Sequence, residues 1–304
     1  MEFQSYTRNK IGLAGRAVEL FNLLSIHRRS TPEGARILCE TFAALREELQ
    51  ELRGQPISGL DVLEVGCGQR PMYLALWSRE NRAVGIDSEM VIKSFSIADG
   101  LRVLRANGVV RAAKSLGRKA LRLDKRAEDV FREAAGMASF PKLDVRLMDA
   151  SAMSFPDASY DIVFSRAVFE HLAHPVPVTR EVRRVLRNGG TLYCLIHLYT
   201  SDSGCHDARI FSESRSRPPS WSHLRQRYKS LVHENTFLNR WSLRQWKEMF
   251  AAEMPGCEVA PMCDDNSAQR RSELISLRAA GELVDYTDEE LLSPTLKVIW
   301  TKPA

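Results

Sequence analysis

The chain has 304 residues, 44% of them hydrophobic and 27% charged, with a formal net charge of +5. That is room for one large α/β domain with insertions or for two small domains, in an ordinary globular composition. No apolar run approaches the length of a membrane span, and Met1-Glu2-Phe3-Gln4-Ser5 has neither a basic nor an apolar signal region, so a cytoplasmic protein is expected. The positive excess is local, gathered between about Arg102 and Lys142, and does not by itself indicate nucleic acid. The six cysteines are scattered without a CxxC pair, and no Cys/His group has zinc-ligand spacing, so reduced thiols and no metal are expected.

In chain order, Ile11, Leu13, Val18, Leu20, Phe21, Leu23 and Leu24 recur at helical spacing. A second helix starts with Ser30 or Thr31 as N-cap and Pro32 in its first turn, runs through Ile37, Leu38, Phe42, Leu45 and Leu49, and stops near Gly54. Short apolar runs then alternate with helical segments. Strands are expected at Asp61–Val65, Ala83–Ile86, Leu143–Met148, Tyr160–Phe164, Thr191–Ile196 (after Gly189-Gly190), Glu258–Met262 and Leu296–Thr301, with a helix over Ser242–Ala252 capped by Ser242. This rhythm predicts an α/β fold, a mostly parallel sheet of seven strands with helices on both faces. Two stretches interrupt it. Residues of about 91–140 read as basic helices with Leu101, Val103, Leu104, Leu116, Leu121, Val130 and Phe131, and about 198–240 are rich in Ser, Arg, His and Pro. The predicted organisation is an N-terminal helical segment, 1–58, and one domain, 59–304, carrying both insertions, the first as a cap over an acceptor pocket.

The strongest chemical signal is Val62-Leu63-Glu64-Val65-Gly66-Cys67-Gly68-Gln69-Arg70, a strand feeding a glycine turn that opens a helix. Glycines there let a ligand approach the backbone and permit positive φ. A dinucleotide site wants a third glycine, where this chain has Pro71. Asp87 ends the next strand about 20 residues on, placed for ribose hydroxyls, while Asp149 ends the third strand and Ser165 the fourth. All should share the carboxyl edge of one sheet, where ligands bind.

On these residues the chain resembles the class I S-adenosylmethionine (SAM)-dependent methyltransferases, whose fold is Rossmann-like. Glu64-Val65-Gly66-Cys67-Gly68 is similar to their first motif and Asp87 to their ribose-binding acid. Asp149-Ala150, Phe155-Pro156-Asp157 and Tyr160-Asp161-Ile162-Val163-Phe164-Ser165 are similar to their third and fourth motifs, and Glu181 through Gly190 to the helix and turn before their fifth strand. The resemblance implies that Gly66, Cys67 and Gly68 pass the methionine part of SAM, with Glu64 organising its ammonium end. It places Asp87 and Ser88 at the ribose, Asp149 and Ala150 at the adenine edge, and Ser165 and Arg166 near the sulfonium and carboxylate. Two departures stand out: Arg70, where the family often has a third small residue, and the 91–140 insertion. A bacterial branch of small-molecule or glycan modifiers is similar in that insertion, in Thr200-Ser201-Asp202-Ser203-Gly204 and in the run from Pro218 to Arg225.

Methyl transfer asks the protein to align a nucleophile and remove its proton. His197 ends the fifth strand, His171 follows the fourth beside Glu170, and His206 sits in the second insertion; any of them could be the base, or simply hydrogen-bonded to backbone. The expected function is methyl transfer from SAM to a small-molecule or glycan acceptor at oxygen. A nucleic-acid or protein methyltransferase is the alternative, disfavoured by Ser165-Arg166-Ala167-Val168 where an amino-methylation motif would stand and by a basic stretch without interleaved aromatics. A non-catalytic SAM-binding scaffold and an NAD-dependent oxidoreductase follow.

Overall fold

The computed structural model describes residues 31–88, 123–210, 217–234, 236–264 and 266–304. The first expected helix, most of the 91–140 insertion and the cap role given to it lie outside them. The described elements are α1 (Pro32–Arg53), β1 (Asp61–Val65), α2 (Met72–Trp77), β2 (Arg82–Asp87), α3 (Leu123–Ala134), β3 (Asp144–Leu147) and β4 (Tyr160–Arg166). After them come α4 (Pro175–Val185), β5 (Leu186–His197), α5 (Leu243–Glu253), β6 (Glu258–Met262), α6 (Ser267–Ala279), α7 (Asp288–Leu292) and β7 (Thr295–Thr301). Short 3₁₀ turns lie at Phe169–His171 and Gln226–Leu231. The seven strands are ordered β3-β2-β1-β4-β5-β7-β6, with β1 parallel to β2 and β4, β2 parallel to β3, and β7 antiparallel to β6. This is the expected Rossmann-like sheet.

The chain divides into two compact units. Among the described residues, the first falls within His27–Ser165, Glu181–Thr191 and Lys302–Ala304. In it β1 and β4 are buried along nearly their whole length, which is why they read as unbroken apolar runs. β3 is a short, mostly exposed strand whose Asp144 and Arg146 pair on its surface. Such brevity and charge blunt a sheet edge. α1 begins as its sequence foretells: Thr31 Oγ1 accepts from the Gly34 amide, Pro32 opens the first turn, and Gly54 closes the helix at φ 63°. Phe42 of α1 meets Trp77 of α2 edge-on at 4.7 Å, and Tyr73 and Trp77 lie 5.2 and 5.9 Å from Phe164 of β4. This aromatic core seats α2, the helix that leaves the glycine turn.

Arg53, in the last turn of α1, sends Nη1 to the carbonyls of Asp161 and Gly189 at 3.0 and 3.1 Å and to Thr191 Oγ1 at 3.1 Å. The glycine pair differs from expectation. β5 begins at Leu186, so Gly189 and Gly190 lie inside it, held by reciprocal bonds with Lys302: Gly189 N to Lys302 O at 2.8 Å and Lys302 N to Gly190 O at 2.9 Å. A Cβ on Gly190 would sit 2.8 Å from the Arg187 carbonyl, so glycine here serves close packing rather than a turn before the strand.

Among the described residues, the second unit falls within Arg166–Arg180 and Leu192–Thr301. Its core includes Trp221 of the second insertion packed with Leu274 of α6 and Leu291 and Leu292 of α7, elements that the sequence reading did not name. Trp221 Nε1 donates to the Leu291 carbonyl at 3.2 Å, and Arg225 grips Glu282 through Nε and Nη2 at 2.6 and 2.9 Å. The second insertion is thus anchored by a buried tryptophan and a bidentate ion pair. α5 carries the expected Ser242 cap, completed as a capping box by Gln245. Among the described residues, no helix is long and apolar enough to cross a membrane.

Arg53→Met keeps much of the helix-terminal packing but strands two carbonyls and a hydroxyl. Bonds from charged donors contribute about 1.5–3 kcal/mol, so urea unfolding of this variant should show a loss of that order, discounted for partial exposure. A loss below the error of the measurement would show that Arg53 does not fasten α1 to β4 and β5.

Candidate active site

The glycine turn is stitched to the end of β2. The amides of Gly66 and Cys67 both donate to the Ile86 carbonyl, at 2.8 and 3.1 Å, and the Gly68 amide donates to Asp87 Oδ2 at 2.8 Å. Gly66 and Gly68 stand at φ 73° and 68°, a region that costs other residues steric strain. Nothing lies within 4 Å of the Cβ that Gly68 lacks, so its open face is free for a ligand. Asp87 thus has a structural duty of its own: it fixes the turn.

The strand register aligns the other expected residues of this unit. Val65 pairs with Ile86 on one side and Ser165 on the other, and Asp87 pairs with Leu147, so the turn, Asp87, the loop after β3 and Ser165 share the carboxyl edge of β1–β4. Glu64 is buried on β1, Cys67 is buried at the turn and Ser88 is exposed beyond β2. Burial, with Glu64 and Asp87 adding negative charge, holds the Cys67 thiol far above its usual range, so this thiol is an inert packing group. Its sulfur and Leu74 each lie 2.8 Å from the Cβ that Gly85 lacks. Ser165 is buried and donates to the Val65 carbonyl at 3.1 Å, a bond that ties β4 to β1.

Asp149 Oδ1 accepts from the amide and hydroxyl of Ser151, at 2.8 and 2.7 Å, bending the chain at Ala150 into a compact turn. Arg184 of α4 holds that loop in place. It donates to the carbonyls of Met153 and Phe155 and to Glu181 and Asp157, while Glu181 accepts from the Met153 amide at 2.7 Å. Arg184 beside it keeps the Glu181 carboxyl below the usual range. Arg70, the departure from the family pattern, turns to Asp124 at the start of α3, Nε to Oδ1 3.0 Å.

In the second unit the three predicted histidines come together. His206 packs against His171 at 4.9 Å, nearly perpendicular, and against His197 at 4.5 Å. Phe169 anchors the 3₁₀ turn that carries Glu170 and His171, packing on Trp246 and Phe250 of α5 at 6.4 and 6.0 Å. Asn239 clasps the same turn through the carbonyls of Phe169 and Leu172, at 2.8 and 3.0 Å. His171 Nδ1 donates to the Phe237 carbonyl at 2.9 Å, which in the neutral ring leaves Nε2 as the acceptor nitrogen. His197 Nε2 bonds Ser203 Oγ at 2.8 Å. The Thr200–Gly204 stretch is a tight corner: a Cβ on Gly204 would fall 2.1 Å from the Tyr199 carbonyl oxygen. Asp202 supports it from beneath, accepting from the Trp221 amide at 2.8 Å. His206 itself sits at φ 53°.

Burial, and the charge of the neighbouring histidines, push His206 down to about 2; burial, with His171, Arg166 and His223, pushes His197 down to about 4. Both rings are neutral near pH 7 and weakly basic. Glu170 is buried and its carboxyl is pushed up to about 8 by that burial, with nearby backbone amides and Arg166 pulling the other way. The sequence reading noted Glu170 only as a neighbour of His171. The signal that marks it is a carboxylate held in an apolar turn between Phe169 and Leu172. Arg166 is exposed at the end of β4.

Residues 106–194 match a family model described as a methyltransferase domain. That stretch of the chain is similar to a methyltransferase domain. The match spans the elements from α3 to most of β5, and the glycine turn and Asp87 precede it. No curated protein sequence matches the chain. Among solved structures, the SAM complex of phosphoethanolamine N-methyltransferase 2 from Haemonchus contortus is 14% identical, with 86% of this chain and 53% of that chain covered and a TM-score of 0.45. A SAM-dependent methyltransferase from Methanosarcina mazei is 15% identical over 81% of this chain and 93% of its own, TM-score 0.39. One from Mesorhizobium loti is 14% identical over 80% and 91%, TM-score 0.38.

Gly85 in β2 and Gly68 in the turn make separable predictions. Gly85→Ala forces a methyl against Cys67 and Leu74 in the core, and overpacking of this kind costs about 1–3 kcal/mol. Gly68→Ala meets no atom and costs only the left-handed backbone, about 1–2 kcal/mol, while placing a methyl on the ligand face. Thermal unfolding with and without SAM should show Gly85→Ala destabilised with stabilisation by SAM retained, and Gly68→Ala losing most of that stabilisation. Equal stabilisation by SAM in both variants would show that the Gly68 face is not the cofactor surface.

Proposed function

We propose that this methyltransferase acts on a hydroxyl oxygen of a small-molecule or glycan acceptor, and that the glycine turn holds the cofactor. The observation that carries the proposal is the group of three histidines after β4 and β5, in which His206 packs on His171 at 4.9 Å and on His197 at 4.5 Å and His171 Nδ1 donates to the Phe237 carbonyl. In this reading residues 59–304 form the catalytic domain and 1–58 a helical segment before it.

SAM, when bound, supplies an electrophilic methyl group on a sulfonium. The chain's own residues do the rest. Gly66 and Gly68 expose backbone to the methionine portion. Glu64 supports its ammonium end, and Asp87 and Ser88 take the ribose. The Asp149–Ala150 turn borders the adenine, and Ser165 and Arg166 mark the sulfonium and carboxylate end. His171 Nε2 accepts the acceptor's hydroxyl proton. His197 and His206, with their basicity depressed, are poorer bases, since general-base efficiency peaks when the pKa lies near the working pH.

Calorimetric titration with SAM, S-adenosylhomocysteine and NAD tests the cofactor half. The two SAM-related ligands should bind with micromolar affinity and NAD should not. Asp87→Asn, which keeps an acceptor for the Gly68 amide, should weaken both by tenfold or more; unchanged affinity would remove Asp87 from the ribose site.

For the acceptor half, release of S-adenosylhomocysteine is measured across hydroxyl compounds and their amine analogues. Turnover of the hydroxyl series alone, falling about 10²–10⁴-fold in His171→Gln with SAM affinity unchanged, is the expected result. Methylation of the amines with an unaffected His171→Gln would overturn the oxygen assignment.

A further inference from the structure

Glu170, His197 and His206 each offer one ligand atom, and these atoms all lie within 4.8 Å of one another. We infer that these three residues form a binding site for a divalent first-row transition-metal ion. They come from the turn after β4, the end of β5 and the corner beyond it, so no linear spacing announces them, and a search for paired cysteines and histidines passes them by.

Three observations support the site. The first is the state of the donors. Glu170 is 2% exposed, and both its oxygens, with Nε2 of His206, are buried without a hydrogen-bond partner. Buried polar atoms are normally satisfied, and a shared cation would satisfy all three at once. The second is dimension. Two donors at about 2.0–2.2 Å from one ion lie up to about 4.4 Å apart when opposite each other. Rotations of a few tenths of an ångström close the group on a shared centre. The third is the support behind the ligands. Ser203 bonds the His197 ring, His171 packs edge-on against His206, and the Phe169–Asn239 clasp fixes the turn of Glu170. Second partners of this kind orient ligating imidazoles. The left-handed backbone of His206, uncommon for a residue with a side chain, is a conformation retained where it serves a site.

The donor set selects the ion class. Two imidazoles and one carboxylate suit Zn²⁺, Co²⁺ or Fe²⁺ rather than Ca²⁺ or Mg²⁺, which favour all-oxygen shells. Three protein ligands leave coordination positions open, so the ion can take an oxygen of a small molecule. The site does not depend on the methyl-transfer reading, and its test involves neither SAM nor turnover.

Full-length protein stripped with a chelator is titrated with Co²⁺ and followed by visible absorption. One equivalent should bind, with d–d bands and no thiolate charge-transfer band. His206→Gln and Glu170→Gln should each weaken binding 100-fold or more, and His174→Gln should leave it unchanged. Absence of the bands in folded protein, or their persistence in both ligand variants, would overturn the site. X-ray absorption of the wild-type Co²⁺ complex gives a second reading that needs no variant: imidazole scattering with nitrogen and oxygen donors supports the site, and a sulfur shell rules it out.

Discussion

The glycine turn after β1 is held by three backbone amides that find their acceptors at the end of β2. Two go to the Ile86 carbonyl and one to the Asp87 carboxylate. This requirement propagates. The turn must bend with positive φ at Gly66 and Gly68, and α2 must then leave at an angle that lets Trp77 and Tyr73 reach Phe164. Gly85 must be bare because Cys67 and Leu74 come down onto it. A side chain at any of these glycines would ask the backbone, the core or the open ligand face to yield, and a well-packed interior yields little.

A different constraint governs the histidines. The corner after β5 is so tight that Gly204 has no space for a side chain, and it is this tightness that brings Ser203 and His206 back toward the strand end carrying His197. The 3₁₀ turn of Glu170 arrives separately, fastened by an aromatic anchor and an asparagine clasp. Burial then leaves both imidazoles neutral near pH 7. His171 packs on His206 and has one nitrogen engaged by a backbone carbonyl.

Much of the sheet was legible because parallel strands buried on both faces write themselves as short apolar runs ending in Gly, Asp or Ser. β1, β2 and β4 show this, and the caps of α1 and α5 followed from single residues, Thr31 and Ser242. The start of β5 was less visible, since Gly189-Gly190 is ordinarily a turn signal and only its pairing with Lys302 keeps it in the strand. α6 and α7 escaped because their packing partner, Trp221, lies some fifty residues earlier in an insertion that resembles a loop. The place of Asp87 at the end of β2 was legible by spacing, whereas its bond to the Gly68 amide was not. The grouping of Glu170 with His197 and His206 depends on chain reversals that no local pattern encodes.

Arg70 stands at the glycine turn, and its bond to Asp124 joins two points 54 positions apart. Between them the chain leaves β2 and returns as α3. The first turn of α3 is therefore referenced directly to the glycine turn, through one charged hydrogen bond, and not only through the covalent path between them. A change at Arg70 would be felt at both places at once, at the root of α2 and at the start of a helix far along the chain.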